Sequence, residues 1–122
     1  MNVVILGATK GMGRALARLC AERGDRVFLL GRDATDLTRS AADLVVRGGQ
    51  GAVAGTARCD LEQSDTFDPA LADAQHALGQ VDAVVVTAGL FGTQEELEAD
   101  PARTERLLHV NFVATVMFCE AA

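Results

Sequence analysis

Apolar residues fall along this chain in short continuous runs that are separated by segments with helical periodicity. A strand buried on both faces is apolar throughout rather than at alternate positions, so each run predicts a strand of a parallel sheet. The four runs are residues 3–6, 27–30, 52–59 and 81–87. The third predicts the weakest strand because alanine and glycine dilute it, and the fourth is the most apolar.

Glycines and an acidic cap mark the first two helices. The first helix follows a glycine turn and ends at Gly24, which is typical of a left-handed C-cap. Its expected buried face consists of Met12, Leu16, Leu19 and Cys20. The second helix begins at the N-cap Asp33 and ends at Gly48. Its expected buried face consists of Leu37, Ala41, Leu44 and Val45.

Two further helices begin at an acidic residue followed by proline, a typical N-terminal signal. The third begins at Asp68 and runs to Leu78, and the last begins at Asp100. The last helix is apolar on nearly all sides, so one face of a sheet cannot cover it. We therefore expect either a homo-oligomer, a dimer or larger, formed through residues 101–122, or an aggregation-prone chain; the alternative is a mobile helix that frays without a partner. The apolar positions of this segment are Leu107, Leu108, Val110, Phe112, Val113, Val116, Met117 and Phe118.

Alternating strands and helices predict an α/β fold of the Rossmann type. We expect a doubly wound parallel sheet with strand order 3-2-1-4, helices on both faces and one domain over residues 1–122. Ligands bind such sheets at the carboxyl ends of the strands, beside the point where the strand order reverses. That point lies here between the first and fourth strands, where the glycine turn and Ala88-Gly89 meet.

Charge and composition exclude several classes of partner for this domain. A net charge of −6 and an isoelectric point near 4.7 argue against nucleic acid and anionic membranes as partners. No signal peptide or membrane span is predicted, and a cytoplasmic location is expected. The cysteines are odd in number and lie in apolar contexts, so we expect buried free thiols and no metal site at Cys20, Cys59 and Cys119.

The glycine turn after the first strand carries the strongest functional signal. Gly7, Gly11 and Gly13 have the spacing G-x-x-x-G-x-G between a strand and a helix. Such a turn lets a ligand approach bare backbone, and the helix N-terminus behind it favours a pyrophosphate. A loop that only needs tight packing is the alternative, but the strand–helix–strand context favours dinucleotide binding.

This turn, LGATKGMG at residues 6–13, resembles the T/L-G-A-x-x-G-x-G turn of the short-chain dehydrogenase/reductase family. The resemblance covers the whole chain but only the first half of the family's length, so we expect a domain truncated before the fifth strand. It implies a nicotinamide dinucleotide as cofactor and a carbonyl or alcohol as substrate. The turn residues that it assigns to the cofactor are Gly7, Ala8, Thr9, Lys10, Gly11, Met12 and Gly13.

Later segments extend the resemblance. Asp60 and Leu61 fall where the family has an Asp and an apolar residue against the adenine, although Asp60 alone would suit a turn. Ala88 and Gly89 match the family's Asn-Ala-Gly, with Thr87 in place of the asparagine. Asn111 matches the helix asparagine whose backbone carbonyl holds a water of the proton relay. Its alternative role is that of a tolerated polar residue on a packed helix.

Charged residues near the second strand indicate the cofactor. NAD-specific sites usually carry an acidic residue at the end of that strand, and Gly31 stands there in this chain. Arg32 follows, and its planar guanidinium suits bidentate phosphate binding. Lys10 adds a second positive charge, whereas Asp33 is better used as a helix cap. We therefore expect NADP(H) to be preferred over NAD(H).

The catalytic residues that the resemblance implies are a Ser, a Tyr and a Lys in the family's second half. This sequence contains no Tyr, and Lys10 is its only lysine, so we expect the NADP(H)-binding half of a reductase that is inactive alone. Two alternatives stay open. One is a stand-alone NADP(H)-binding or regulatory module without turnover. The other is a reductase of a polyprenyl-phosphate-linked keto-pentose, because residues 90–94 and 98–101 resemble that branch of the family.

Overall fold

The four expected strands form one parallel sheet in the computed structural model, which describes residues 1–122. Their order is β3-β2-β1-β4, which confirms the predicted order and fold class. β1 pairs with β2 on one side and with β4 on the other, so that Val3 faces Val27 and Ala83. The strands are β1 Asn2–Leu6, β2 Arg26–Gly31, β3 Val53–Arg58 and β4 Ala83–Val86.

Six α-helices connect or follow these strands. They are α1 Gly11–Arg23, α2 Ala34–Gly48, α3 Phe67–Leu78, α4 Gln94–Ala99, α5 Pro101–Leu108 and α6 Thr115–Ala121. A short 3₁₀ turn, Ser64–Thr66, precedes α3, and a π-helical segment, His109–Ala114, joins α5 to α6. None of the helices combines the length and apolarity that a bilayer crossing requires.

Helix ends follow the sequence signals in most cases. The Asp33 carboxylate accepts a hydrogen bond from the Asp36 backbone at 2.9 Å, and Asp100 caps α5 in the same way. Gly24 ends α1 with a φ of 91°, as expected of a left-handed C-cap. The prediction for α3 was one residue late, because Phe67 rather than Asp68 begins the helix behind the 3₁₀ turn.

The sheet separates two apolar layers, because alternate residues of each strand point to opposite faces. Val3 and Ile5 of β1 pack under α1 and α2, whereas Val4 and Leu6 pack under α3 and the helix that contains Phe118. The Phe118 ring is fully buried and meets Phe67 edge to face at a centroid distance of 5.4 Å. Burial on both faces explains the apolar runs of the two central strands, β1 and β2, whereas the edge strands β3 and β4 are only half-buried.

The predicted buried face of α1 is wrong in part. Met12 and Leu19 are 81% and 64% exposed, and the residues that face the sheet are Gly13, Ala17, Cys20 and Ala21. Small side chains let the helix axis approach the strands closely, which turns the larger apolar residues outward. Cys119 is also exposed, contrary to expectation, whereas Cys20 and Cys59 are buried free thiols.

The last helical stretch buries one stripe and exposes another. Val110, Ala114 and Phe118 lie in the core, one turn apart along the stretch. The opposite side leaves a row of large apolar side chains in solvent, namely Leu108, Phe112, Val113, Val116 and Met117. One face of the sheet therefore covers only part of this helix, as its sequence indicated.

Candidate functional site

A cleft of ≈ 330 Å³ opens at the carboxyl ends of β1 and β4. The structure brings to its wall almost every residue that sequence reasoning assigned to a cofactor: Gly7, Thr9, Lys10, Gly11, Met12, Gly13, Arg32, Asp60, Leu61, Ala88 and Gly89. Ala8 is the exception, because it is 1% exposed and packs in the apolar layer under α1 and α2. The cleft lies where the strand order reverses, the general position of ligands on such sheets.

Backbone packing at the floor of the cleft requires glycine. A Cβ on Gly7 would lie 2.5 Å from the Ala88 nitrogen, and the φ of Gly7 is 103°. A Cβ on Gly13 would lie 2.2 Å from the Gly7 carbonyl oxygen, although Gly13 itself has ordinary helical backbone. β1, α1 and the segment after β4 thus meet at a point with no room for a side chain, which leaves bare backbone at the floor.

Thr87 ties this junction together from the end of β4. Its hydroxyl oxygen is 3.2 Å from the Gly7 carbonyl oxygen and 3.4 Å from that of Leu6, to which it donates. The family's asparagine is replaced here by a shorter side chain that still reaches the glycine turn. The departure from the family pattern therefore leaves the link between β1 and β4 intact.

The N-terminus of α1 faces the cleft without a partner from the protein. Lys10 stands at the N-cap and makes no side-chain capping bond, and the first turn holds no acidic residue. In contrast, α2 and α5 begin with aspartate caps and α4 with a reciprocal capping box of Thr93 and Glu96. Unpaired N–H groups and the helix dipole make the start of α1 suitable for an anion.

One end of the cleft is lined by charged residues of both signs. Arg32 follows β2, and its guanidinium is 3.9 Å from the carboxylate of Glu62. Asp60 accepts a hydrogen bond from the Glu62 backbone at 3.0 Å, so the turn role considered for Asp60 is present, and its carboxylate also lies 3.5 Å from Arg58. Sequence reasoning missed Glu62, whose only signal is its position two residues after Asp60 at the end of β3.

Glu62 is held by a second arginine from a different part of the fold. Two nitrogens of Arg106 in α5 donate to its two carboxylate oxygens, one of them at 2.7 Å. The Arg106 guanidinium, with Arg32 as a smaller contribution, holds the pKa of the Glu62 carboxyl below its usual range despite its partial burial. Glu62 is therefore charged at neutral pH.

Asn111 clamps the segment that follows β4. Its side-chain oxygen accepts from the Leu90 nitrogen and its amide nitrogen donates to the Leu90 oxygen, both at 2.7 Å. Asn111 lies in the π-helical segment, and such segments recur at functional sites. The paired bonds contradict the alternative of a merely tolerated polar residue. They belong to the side chain, whereas the family role rests on the backbone carbonyl.

Comparison with known proteins agrees with this geometry. A sequence model of the short chain dehydrogenase family matches residues 1–122. The L-fucose dehydrogenase of Oryctolagus cuniculus is 31% identical over 121 residues, 98% of this chain and 40% of that enzyme. The L-rhamnose 1-dehydrogenase (NAD(P)(+)) of Azotobacter vinelandii is 36% identical over 94 residues, 73% of this chain and 35% of that enzyme.

Solved structures share the same fold. A short-chain type dehydrogenase/reductase from Mycobacterium marinum superposes with a TM-score of 0.87 at 27% identity, covering 99% of this chain and 48% of the other. The chain thus spans about a third to a half of the length of the relatives it matches. The glycine turn, the strand order and a family match that extends over every residue agree: this chain belongs to the short-chain dehydrogenase/reductase family.

Proposed function

We propose that the cleft binds a nicotinamide dinucleotide, NADP(H) in preference to NAD(H), and that residues 1–122 are the cofactor-binding part of an oxidoreductase. The observation that carries this proposal is the uncapped N-terminus of α1 behind a turn with no room for a side chain. A pyrophosphate fits that arrangement, because it would accept from backbone N–H groups and approach bare backbone.

The other residues of the cleft fit the remaining parts of a dinucleotide. Asp60 and Leu61 would lie against the adenine, and Arg32 and Lys10 would hold a ribose 2′-phosphate, which the guanidinium can bind through two hydrogen bonds. Gly31 puts no carboxylate at the end of β2 itself, and the Asp33 carboxylate, although it lines the cleft, accepts from the Asp36 backbone as the cap of α2. When bound, the nicotinamide supplies or accepts the hydride exchanged with a carbonyl or alcohol carbon.

Calorimetric titration with NADP⁺ and NAD⁺ tests the cofactor preference. Loss of one charge-assisted contact costs about 1.5–3 kcal/mol. Arg32→Ala should therefore weaken NADP⁺ binding at least tenfold and leave NAD⁺ binding within twofold. Arg39→Ala, which removes an exposed arginine of α2 outside the cleft, is the matched control and should change neither. Equal losses for both cofactors in Arg32→Ala would refute the preference.

Turnover by this chain alone is not expected. Hydride transfer to a carbonyl requires a proton donor for the developing alkoxide. Residues 1–122 contain neither the family's Tyr nor its Tyr-x-x-x-Lys lysine, since Lys10 of the glycine turn is the single lysine. The purified chain should leave NADPH unoxidised over a panel of ketones and aldehydes. Turnover that Asn111→Ala abolishes would contradict this expectation.

A stand-alone module that binds NADP(H) without turnover is the second candidate, because the same cleft would serve it. A Ser and a Tyr-x-x-x-Lys encoded after Ala122 would identify the reductase, and a stop codon there would identify the module. The keto-pentose substrate and the cytoplasmic location stay predictions from the sequence.

We also propose a homo-oligomer formed through residues 101–122. The exposed apolar row there includes Phe112 at 69% and Met117 at 51% exposure. Burial of three such side chains contributes about 5–9 kcal/mol, comparable with the stability of a small domain. A second copy of this chain would supply the apolar surface that the sheet does not.

A further inference from the structure

Glu62 stands between two arginines that approach it from different elements. Arg106 of α5 grips both of its carboxylate oxygens, whereas Arg32, after β2, stays 3.9 Å away. A separation of 3.9 Å is too long for a hydrogen bond. Glu62 therefore forms hydrogen bonds with Arg106 and not with Arg32, and the Arg32 side chain, which is 61% exposed, lines the cleft.

The two arginines differ in their access to the cleft. Arg32 and Glu62 line it, whereas Arg106 does not and lines a neighbouring depression instead. Arg106 thus acts on the cleft from outside its wall, and its side-chain hydrogen bonds go to the Glu62 carboxylate. Bidentate arginine–carboxylate pairs are among the strongest and most directional ion pairs, so this one fixes where the Glu62 charge points.

Removal of Arg106 would leave a charged carboxylate beside Arg32. Glu62 keeps its negative charge at neutral pH, and a small rotation would close the 3.9 Å gap. Arg32 would then have a competing anion as a permanent partner. A 2′-phosphate would have to displace that partner and would face its repulsion, whereas a free 2′-hydroxyl would face neither effect.

We propose that Arg106 is a positioning residue for cofactor selectivity: by holding the Glu62 carboxylate, it keeps Arg32 available for the 2′-phosphate of NADP(H). This inference rests on the proposed binding of a dinucleotide in the cleft. It extends the determinants of selectivity from the end of β2 to α5, on the far side of Glu62.

A double-mutant cycle read by calorimetric titration tests the proposal. Arg106→Leu should weaken NADP⁺ binding about fivefold or more and leave NAD⁺ binding within twofold. The addition of Glu62→Gln to that variant should restore NADP⁺ binding to within twofold of the parent, because no carboxylate remains to capture Arg32. Glu62→Gln alone should bind NADP⁺ at least as tightly as the parent.

The controls separate a selective effect from a general one. Arg103→Leu, on the same helix but paired with Glu96, should leave both affinities unchanged. If Arg106→Leu does not fold, the Glu62→Gln single variant decides, and weaker NADP⁺ binding in it would refute the proposal. Loss of NADP⁺ binding in Arg106→Leu that Glu62→Gln does not restore would indicate direct contact with the phosphate and would also refute it.

Two outcomes distinguish this inference from the proposed function. A parent protein that binds neither dinucleotide would overturn both. A parent that prefers NADP⁺, together with an Arg106→Leu variant of unchanged preference, would overturn only the role of Arg106.

Discussion

Replacement of Gly13 by alanine sets two physical effects against each other. Alanine at a helix position is favoured over glycine by up to about 1 kcal/mol, so Gly13→Ala would stabilise α1 if the helix were free. The added Cβ, however, would lie 2.2 Å from the Gly7 carbonyl oxygen and 2.3 Å from the Thr87 hydroxyl oxygen. Since the nearest atom is backbone, no side-chain rotation can relieve the contact.

The structure indicates which effect is larger. Overpacking of a well-packed site costs about 1–3 kcal/mol, and a contact with backbone belongs at the upper end of that range. After the gain in helix propensity is subtracted, Gly13→Ala should lower the free energy of unfolding by about 2 kcal/mol. At roughly 4 °C per kcal/mol, the melting temperature should fall by about 8 °C.

Thermal unfolding followed by far-ultraviolet circular dichroism measures this effect. Gly51→Ala is the control, since a Cβ there meets nothing within 4 Å; its stability should stay within about 0.5 kcal/mol of the parent. Dinucleotide binding should weaken in Gly13→Ala, because the start of α1 must move away from β1 and β4. A melting temperature equal to or above that of the parent would refute the reasoning and show that helix propensity decides.

Three further expectations concern other parts of the molecule. Light scattering at micromolar concentration should show a dimer or larger species that Phe112→Asp and Val116→Asp reduce to a monomer; a monomeric parent, unchanged by both, would exclude the proposed oligomer. Asn111→Ala should remove about 1–3 kcal/mol of stability through its two bonds to Leu90 and speed amide hydrogen exchange there, and unchanged exchange would contradict the clamp. The N-terminal amino group and Arg23 lower the pKa of the buried Asp25 carboxyl. The ionised carboxylate should therefore stabilise the fold at neutral pH, and this stabilisation should disappear on acidification below about pH 4. If the melting temperature of Asp25→Asn falls with acid as steeply as that of the parent, Asp25 does not contribute this pH dependence.

The sheet could be predicted from the sequence because two-sided burial leaves an unbroken apolar run. The helix caps were equally legible, since Asp33 and Asp100 act through backbone groups three residues away. The same logic should have identified α4, because Thr93 and Glu96 have the capping-box spacing. That helix was missed although its signal is present in the sequence.

Other features required the three-dimensional packing. Apolar size predicts the wrong buried face for α1, because the close approach of helix and sheet selects Gly13 and Ala17 instead of larger side chains. The Glu62–Arg106 pair joins residues 44 positions apart through long side chains. No periodicity encodes such a contact, so the place of Glu62 at the charged end of the cleft could be recognised only in the folded chain.

The two strands that pair with β1 lie at very different distances from it along the chain. Val3 pairs with Val27 across 24 residues and with Ala83 across 80 residues. Closure of the longer loop costs about 1 kcal/mol more in chain entropy, and non-local pairing slows folding. We therefore expect β4 to dock after β1 and β2 have paired, and to bring Ala88 and Gly89 to the cleft only then. A dinucleotide bound between these elements would stabilise the product of this last step. Only chains with a complete four-stranded sheet would bind it, so bound dinucleotide would measure the fraction of fully folded chains.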